Sequence, residues 1–237
     1  MEQIHMYMDL DKRIQREGYF NNMNKADLLA RQYTTQDEAR SKYFGSLRSP
    51  NVSEKRVLEF AVAKANAIMH DYPKLANLPW TFLIAPDFIE SGFPHTHYET
   101  IILPHSHVSR KSIDDLVDTL IHEKVHIYQR LYPCECNILF TRFWNLKIIG
   151  KKQTLQLHRS NPDINMLDYA ESGHLIKCFY KDKHNPTLAS ITGDERDHPY
   201  EMMAYIIAFI MTRNTRLGAD NGKYVTPTLQ WMQEFLI

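Results

Sequence analysis

The chain is short of cysteine, has no long apolar run and carries no excess of either charge, and each shortage removes a class of protein. Three cysteines in 237 residues, Cys134, Cys136 and Cys178, are too few for a disulfide framework and odd in number. They fit a reducing compartment. Cys134-Glu-Cys136 brings two thiols together, but no second pair follows, so these read as ordinary thiols at a helix boundary. The most apolar stretch, Tyr205-Ile-Ile-Ala-Phe-Ile-Met211, falls far short of the roughly 20 residues a membrane-spanning helix needs. The first residues, Met1 to Lys12, lack the basic segment and apolar run of a secretory signal. Lys plus Arg number 28 and Asp plus Glu number 28, so no global field recruits nucleic acid or an anionic membrane. Arg142, Lys147, Lys151, Lys152 and Arg159, with Phe143 and Trp144 nearby, form a modest basic stretch that a solvated face explains as well. Repeats, low-complexity tracts and linkers are absent too. These shortages together lead us to expect a single domain over 1–237, soluble and intracellular in the cytoplasm, with neither membrane nor nucleic acid as partner.

What the chain has in quantity is histidine, twelve in all, and two of them stand in His122-Glu123-Lys124-Val125-His126. An α-helix turns once in about 3.6 residues, so side chains four apart share a face. His122 and His126 can therefore offer two imidazoles to one metal ion, while Glu123 is offset enough to reach a water bound to it. The flanks predict the helix this requires. Ser112 can cap it, Asp114 and Asp115 fall in the first turn, and Arg130 falls in the last, each where the helix dipole favours its charge. Ile113, Leu116, Val117, Leu120, Ile121, Val125 and Tyr128 recur as a buried stripe.

Around this helix the pattern reads as α+β, mostly helical, with a small β-sheet before the helix. Residues 1–22 show no clear period and form a partly ordered start to a helical lead-in over 1–50. Asn24 caps a short helix, Thr34–Arg40 restarts one that ends near Gly45, and Ser53 opens a longer one reaching Tyr72-Pro73. Trp80–Ala85 and Tyr98–Leu103 read as strands, joined by a loop holding His95 and His97. His95, His97, His105 and His107 read as loop histidines in water, although two could serve substrate or a second metal. Asn137–Ile149 reads as a helix ending at Gly150, Ser160-Asn-Pro-Asp163 as a turn, and 160–196 as a β excursion with strands at His174–Tyr180 and Thr187–Thr192. Pro199 fits the first position of a buried helix through Met211, and Thr226–Leu236 closes the chain as an amphipathic helix.

Thr119-Leu-Ile-His-Glu-Lys-Val-His126 resembles the active-site helix of the zincin metallopeptidases. Strand, short loop and H-E-x-x-H helix also follow one another in that family's order. The resemblance implies a catalytic Zn2+, one per chain, and a peptide or protein substrate. It also implies a sheet edge on which an extended peptide lies, here expected at Tyr98, Thr100 and Ile102, though an internal strand fits the sequence as well. A catalytic zinc takes three protein ligands and keeps one open position. Ile127-Tyr-Gln-Arg-Leu-Tyr132 after the motif does not continue as a metzincin would. Glu201-Met-Met-Ala204 is similar to the E-x-x-A setting of the gluzincin branch, which makes Glu201 the implied third ligand. A glutamate in a first helical turn is also favoured simply as a cap, and Asp168, Glu171, His174, Asp194 and His198 stay open as ligands. Ser160–Asp163 together with His198-Pro-Tyr-Glu-Met-Met-Ala204 also resembles H-E-x-x-H proteins of large DNA viruses, which would place the chain in a host cytoplasm or virion.

The activity so implied is peptide hydrolysis by a zinc-activated water, with Glu123 as general base. His198, Tyr169, Tyr200 and Tyr205 are the candidates for stabilising the oxyanion or supporting the site. The alternative is a zinc-binding structural or interaction protein whose peptidase site is a relict.

Overall fold

A computed structural model describes residues 2–151, 158–165, 167–176, 178–182, 184–192, 198–213 and 222–237. The fold is α+β. Helices α1 (Glu2–Glu17), α2 (Lys25–Ala30), α3 (Gln36–Ser46), α4 (Val52–Ile68) and α5 (Pro73–Ala76) lead to strands β1 (Thr81–Ala85), β2 (His95–His97) and β3 (Thr100–Pro104). Helices α6 (His105–Arg110), α7 (Ile113–Leu131) and α8 (Pro133–Ile138) follow, the last running into one π turn at Leu139–Phe143. Strands β4 (Lys147–Lys151), β5 (Leu167–Glu171), β6 (His174–Ile176), β7 (Phe179–Tyr180) and β8 (Ile191–Thr192) precede α9 (Pro199–Thr212) and α10 (Gly222–Phe235).

The first sheet has the order β1-β3-β2, with β1 parallel and β2 antiparallel to β3. Successive strand residues face opposite sides, and both sides are covered. Ile84, Ile101 and Leu103 join the larger core built with α4, α7, α9 and α10. Leu83, Ala85 and Ile102 join a second core with Leu10, Ile14, Tyr43 and Phe20. That double cover is why Phe82–Ala85 and Ile101–Leu103 are continuous apolar runs instead of alternating ones.

Helix α7 forms where its caps and stripe predict. Ser112 accepts the Asp115 amide, and Leu116, Val117, Leu120, Ile121, Val125 and Tyr128 are buried. Helix α9 starts at Pro199 behind the cap residue His198 and lies along α7, with Ala204 fully buried between them.

Several expectations are corrected. Residues 2–17 are helical, because Leu10 and Ile14, four apart, bury one face against the second core. Helix α4 is capped by Asn51, whose side chain and Glu54 form a reciprocal capping box, two residues before the expected Ser53. Lys147–Ile149 belong to β4, paired with β5, and do not extend a helix. Of the strand expected at Thr187–Thr192, only Ile191–Thr192 pairs. His95 and His97 are not loop histidines in water: they are buried on β2 and packed on Tyr43, with the His95 Nε2 2.6 Å from the Tyr43 hydroxyl.

The expected substrate edge is also displaced. Thr100 and Ile102 lie on the central strand, paired on both sides, and Ile102 is core. Tyr98 sits in the β2–β3 turn with a φ of 54°. The edge of this sheet nearest α7 is β2.

Candidate metal centre

His122 and His126 project from one face of α7 toward the first turn of α9, where Glu201 meets them. Their Nε2 atoms are 3.1 Å apart, and Glu201 Oε2 stands 3.4 Å from His122 Nε2 and 3.7 Å from His126 Nε2. Zinc bonds of about 2.0–2.1 Å in a tetrahedral set put donors about 3.3 Å apart, so the three atoms have the spacing of one coordination sphere. The residues fit the ion.

Each ligand is held in place by a neighbour. Gln129, three residues beyond His126 and fully buried, donates from Nε2 to the Tyr200 carbonyl at 2.8 Å. That carbonyl can only accept, which fixes the amide and turns its Oε1 toward His126 Nδ1, 2.8 Å away. Nδ1 must therefore carry a hydrogen, leaving Nε2 as the metal-facing nitrogen. Asn161 Nδ2 donates to Glu201 Oε1 at 2.5 Å, so only Oε2 faces the histidines.

Glu123 is 3 % exposed, and its Oε2 accepts from the Thr96 hydroxyl at 2.7 Å. It forms a second group with His126 and Asp163 whose ligand atoms all lie within 4.8 Å of one another. Burial and the Asp163 carboxylate push Glu123 up to about 7, against the pull of both histidines. Burial alone would lower His126, but Asp163, Glu201 and Glu123 outweigh it and raise the imidazole to about 9. Glu201 is held well below the ordinary carboxylate range: burial opposes this, and His126 and His122 prevail.

The remaining candidates fall elsewhere. His198 uses both nitrogens as the cap of α9, one accepting the Tyr200 amide and the other donating to the Leu167 carbonyl. It joins none of the metal-holding groups among the described residues. Tyr200 is packed on Phe140 and His198 and lines a cleft shared with Gln129, Asn161 and Asp163. Burial raises its phenol well above the ordinary value. Tyr169 packs edge-on against Phe140 and His198, its hydroxyl shared with Asn165 and Asn137. Tyr205, four residues after Glu201 on the same face of α9, lies against His122 with ring centroids 4.4 Å apart. Asp168, Glu171 and His174 are on β5 and β6 and join none of the metal-holding groups among the described residues; Asp194 lies outside those residues. His95, His97, His105 and His107 join no such group either. Lys124, inside the motif, points away from the metal face, its Nζ donating to the Ala76 carbonyl at 3.0 Å under the Trp80 ring.

Ser160–Asp163, whose chemistry predicts a turn, do more than reverse the chain. Ser160 is bound to Asp27 through its amide (2.8 Å) and hydroxyl (2.7 Å), and its carbonyl accepts from Arg31 at 2.9 Å. Asn161 reaches Glu201, and Asp163 Oδ1 accepts the Thr96 amide at 2.7 Å. Arg130 Nη2 donates to the carbonyls of Thr96 (2.6 Å) and Pro162 (2.8 Å) and lies 3.6 Å from Asp163. The segment thus ties the N-terminal helices to the centre. On its other side is a cleft of about 410 Å³ bordered by Tyr19, Tyr98, Arg130, Pro133 and Tyr200.

Trp144, near the basic stretch, is core and 4 % exposed, and Arg142 pairs with Glu234. Lys152 lies outside the described residues. The three cysteines are free thiols. No helix among the described residues is long and apolar enough to cross a membrane. Comparison with family models, with curated proteins and with solved structures finds no match to this chain.

Proposed function

We propose that this chain is a zinc-dependent peptidase of zincin type, with the gluzincin ligand pattern His122, His126 and Glu201. One observation carries the reading: two imidazole nitrogens and one carboxylate oxygen converge within 3.1–3.7 Å, beside a buried glutamate held by Thr96. Three protein ligands are the number of a catalytic site with an open position, and a purely structural site has no use for Glu123.

Zinc there supplies a water acidified toward neutrality and a Lewis acid for the scissile carbonyl. The chain supplies the rest. Glu123 takes the proton of the attacking water and returns it to the leaving amine nitrogen. Thr96 fixes the rotamer of Glu123, Gln129 sets the tautomer of His126, and Asn161 keeps Glu201 turned edge-on to the histidines. Among the phenols, Tyr205, beside His122 and 41 % exposed, is the one we assign to donate to a developing oxyanion.

The competing reading, a zinc-binding structural or interaction protein, is favoured by one observation: the main chain of β2 next to Glu123 is already hydrogen-bonded by side chains. Glu123→Gln separates the two. With zinc still bound, peptide-library cleavage should fall by about 10²–10⁴ if Glu123 is the base. Unchanged cleavage refutes the mechanism, and a wild-type protein that binds zinc yet cleaves nothing moves the structural reading to the front.

A further inference from the structure

A peptide docking on a sheet edge needs an outward-facing amide and carbonyl on the edge strand. On β2, His95 and His97 face Ile102 and Thr100 of β3, and Thr96 sits between them. The Thr96 amide donates to Asp163 Oδ1 at 2.7 Å, and its carbonyl accepts from Arg130 Nη2 at 2.6 Å. A residue of an extended peptide would bring the same two groups, an acceptor and a donor. Asp163 and Arg130, 3.6 Å apart, stand where its carbonyl and amide would be. Thr96 is also the residue that holds Glu123, so this position adjoins the reacting centre.

We propose that residues 158–163 form a self-docked strap whose Asp163, with Arg130, occupies the peptide-binding edge of β2, and that substrate binds by taking their place on Thr96. The proposal rests on the peptidase reading above. It makes the ligand an extended main chain, recognised through one amide and one carbonyl with no demand on side-chain identity. The strap is built to be exchanged. Its start is anchored, His158 bridging Phe179 and the Arg159 amide donating to the Cys178 carbonyl. Ser160–Asp163, by contrast, form no strand and are held through side chains of Asp27, Arg31, Arg130 and Glu201 and by the Thr96 amide on Asp163, with a cleft alongside.

The test uses the zinc-loaded full chain and an N-acetylated trialanine hydroxamate as probe. Amide exchange is followed at Ser160 and Asp163, whose N–H groups bond Asp27 and Asn161, and at Thr96. With probe bound, Ser160 and Asp163 should exchange about tenfold faster while Thr96 stays protected, and Asp163→Ala should bind the probe about tenfold tighter because the competing state is weakened. Ser160→Ala, which loosens the strap without touching the centre, should shift affinity in the same direction by less. Strap amides as protected with probe as without, or weaker probe binding by both variants, would overturn the strap while leaving zinc binding and cleavage intact. Should the chain bind no zinc, the peptidase reading fails, and exchange at Thr96 still decides the strap: it must rise in Asp163→Ala, and an unchanged rate contradicts it.

Discussion

Two buried polar networks meet at residues 158–163, and they differ in how their charge is closed. In the first, Arg31 lies between Asp27 and Glu90 with every guanidinium nitrogen used: Nε on Glu90, Nη1 on Asp27 and the Tyr180 hydroxyl, Nη2 on Glu90, Tyr19 and the Ser160 carbonyl. Donors meet acceptors, and the network is complete within the protein. In the second, three carboxylates, Glu123, Asp163 and Glu201, gather around His122 and His126, one guanidinium, Arg130, lies 3.6 Å from Asp163, and two imidazole nitrogens stand 3.1 Å apart. Without an ion, a proton on His126 is what stands between these acceptors. The first network is finished as structure, while the second has side chains that could hold a metal ion. Burial alone does not distinguish them, since both are almost wholly out of water; the balance of donors and acceptors does.

Breaking the first network should show in stability above all. Arg31→Met leaves two buried carboxylates without their partner, and we predict a loss of about 3–5 kcal/mol in denaturant unfolding. Because Arg31 also holds the Ser160 carbonyl, the variant should lose strap order while its α7–α9 ligands remain. A loss under about 1 kcal/mol would mean the network is not closed as described.

In the second network the corresponding change should show in metal affinity. Gln129→Leu removes the hydrogen bond that fixes His126, and zinc affinity should fall about 10–100-fold by competition with a chelating dye. Asn161→Ala should act on Glu201 in the same direction. If Gln129→Leu unfolds the protein instead, Gln129→Glu, which keeps an acceptor toward His126, is the variant to measure.

Acidity sharpens the contrast, because the two networks respond with opposite signs. Glu90 is held at about 2: burial would raise it, and Arg31 overrides that. A depressed carboxylate stabilises above its unfolded value near 4.5 and loses that contribution as pH falls toward 2. The stability difference between wild type and Glu90→Gln should therefore narrow over that interval. His126 without metal is raised to about 9, so its contribution is fully present below 6.5 and lost as pH rises through 9. The proton on that imidazole is what an ion must displace. Zinc affinity should climb with pH up to about 9, with proton release on binding in calorimetry across buffers of different ionisation enthalpy.

How much of this could be read from the sequence follows from distance along the chain. His122, Glu123 and His126 are legible because helical spacing is local, and Ser112, Asp115 and the apolar stripe agree with it. Gln129 was within reach by the same logic, since three residues on from His126 is the same face, one turn along. So was α1, where Leu10 and Ile14 sit four apart. Glu201 was indicated by its likeness to E-x-x-A and by nothing in its local period. Thr96 stands 27 residues from Glu123, Asn161 40 from Glu201 and Asp163 67 from Thr96. No periodicity reports such pairings. The edge strand was misplaced for a related reason: two short apolar strands show in sequence, but a three-residue strand of His-Thr-His, buried by Tyr43 and Tyr19, has the composition of a loop.

The central claim is that the second network is completed by one divalent ion on His122, His126 and Glu201. Metal content of purified protein, wild type beside His126→Ala and Glu201→Ala, addresses it most directly. We predict close to one zinc per chain in the wild type and its loss in both variants, each still folded by circular dichroism. Full zinc retained in Glu201→Ala, or none in the wild type after exposure to zinc, would contradict it.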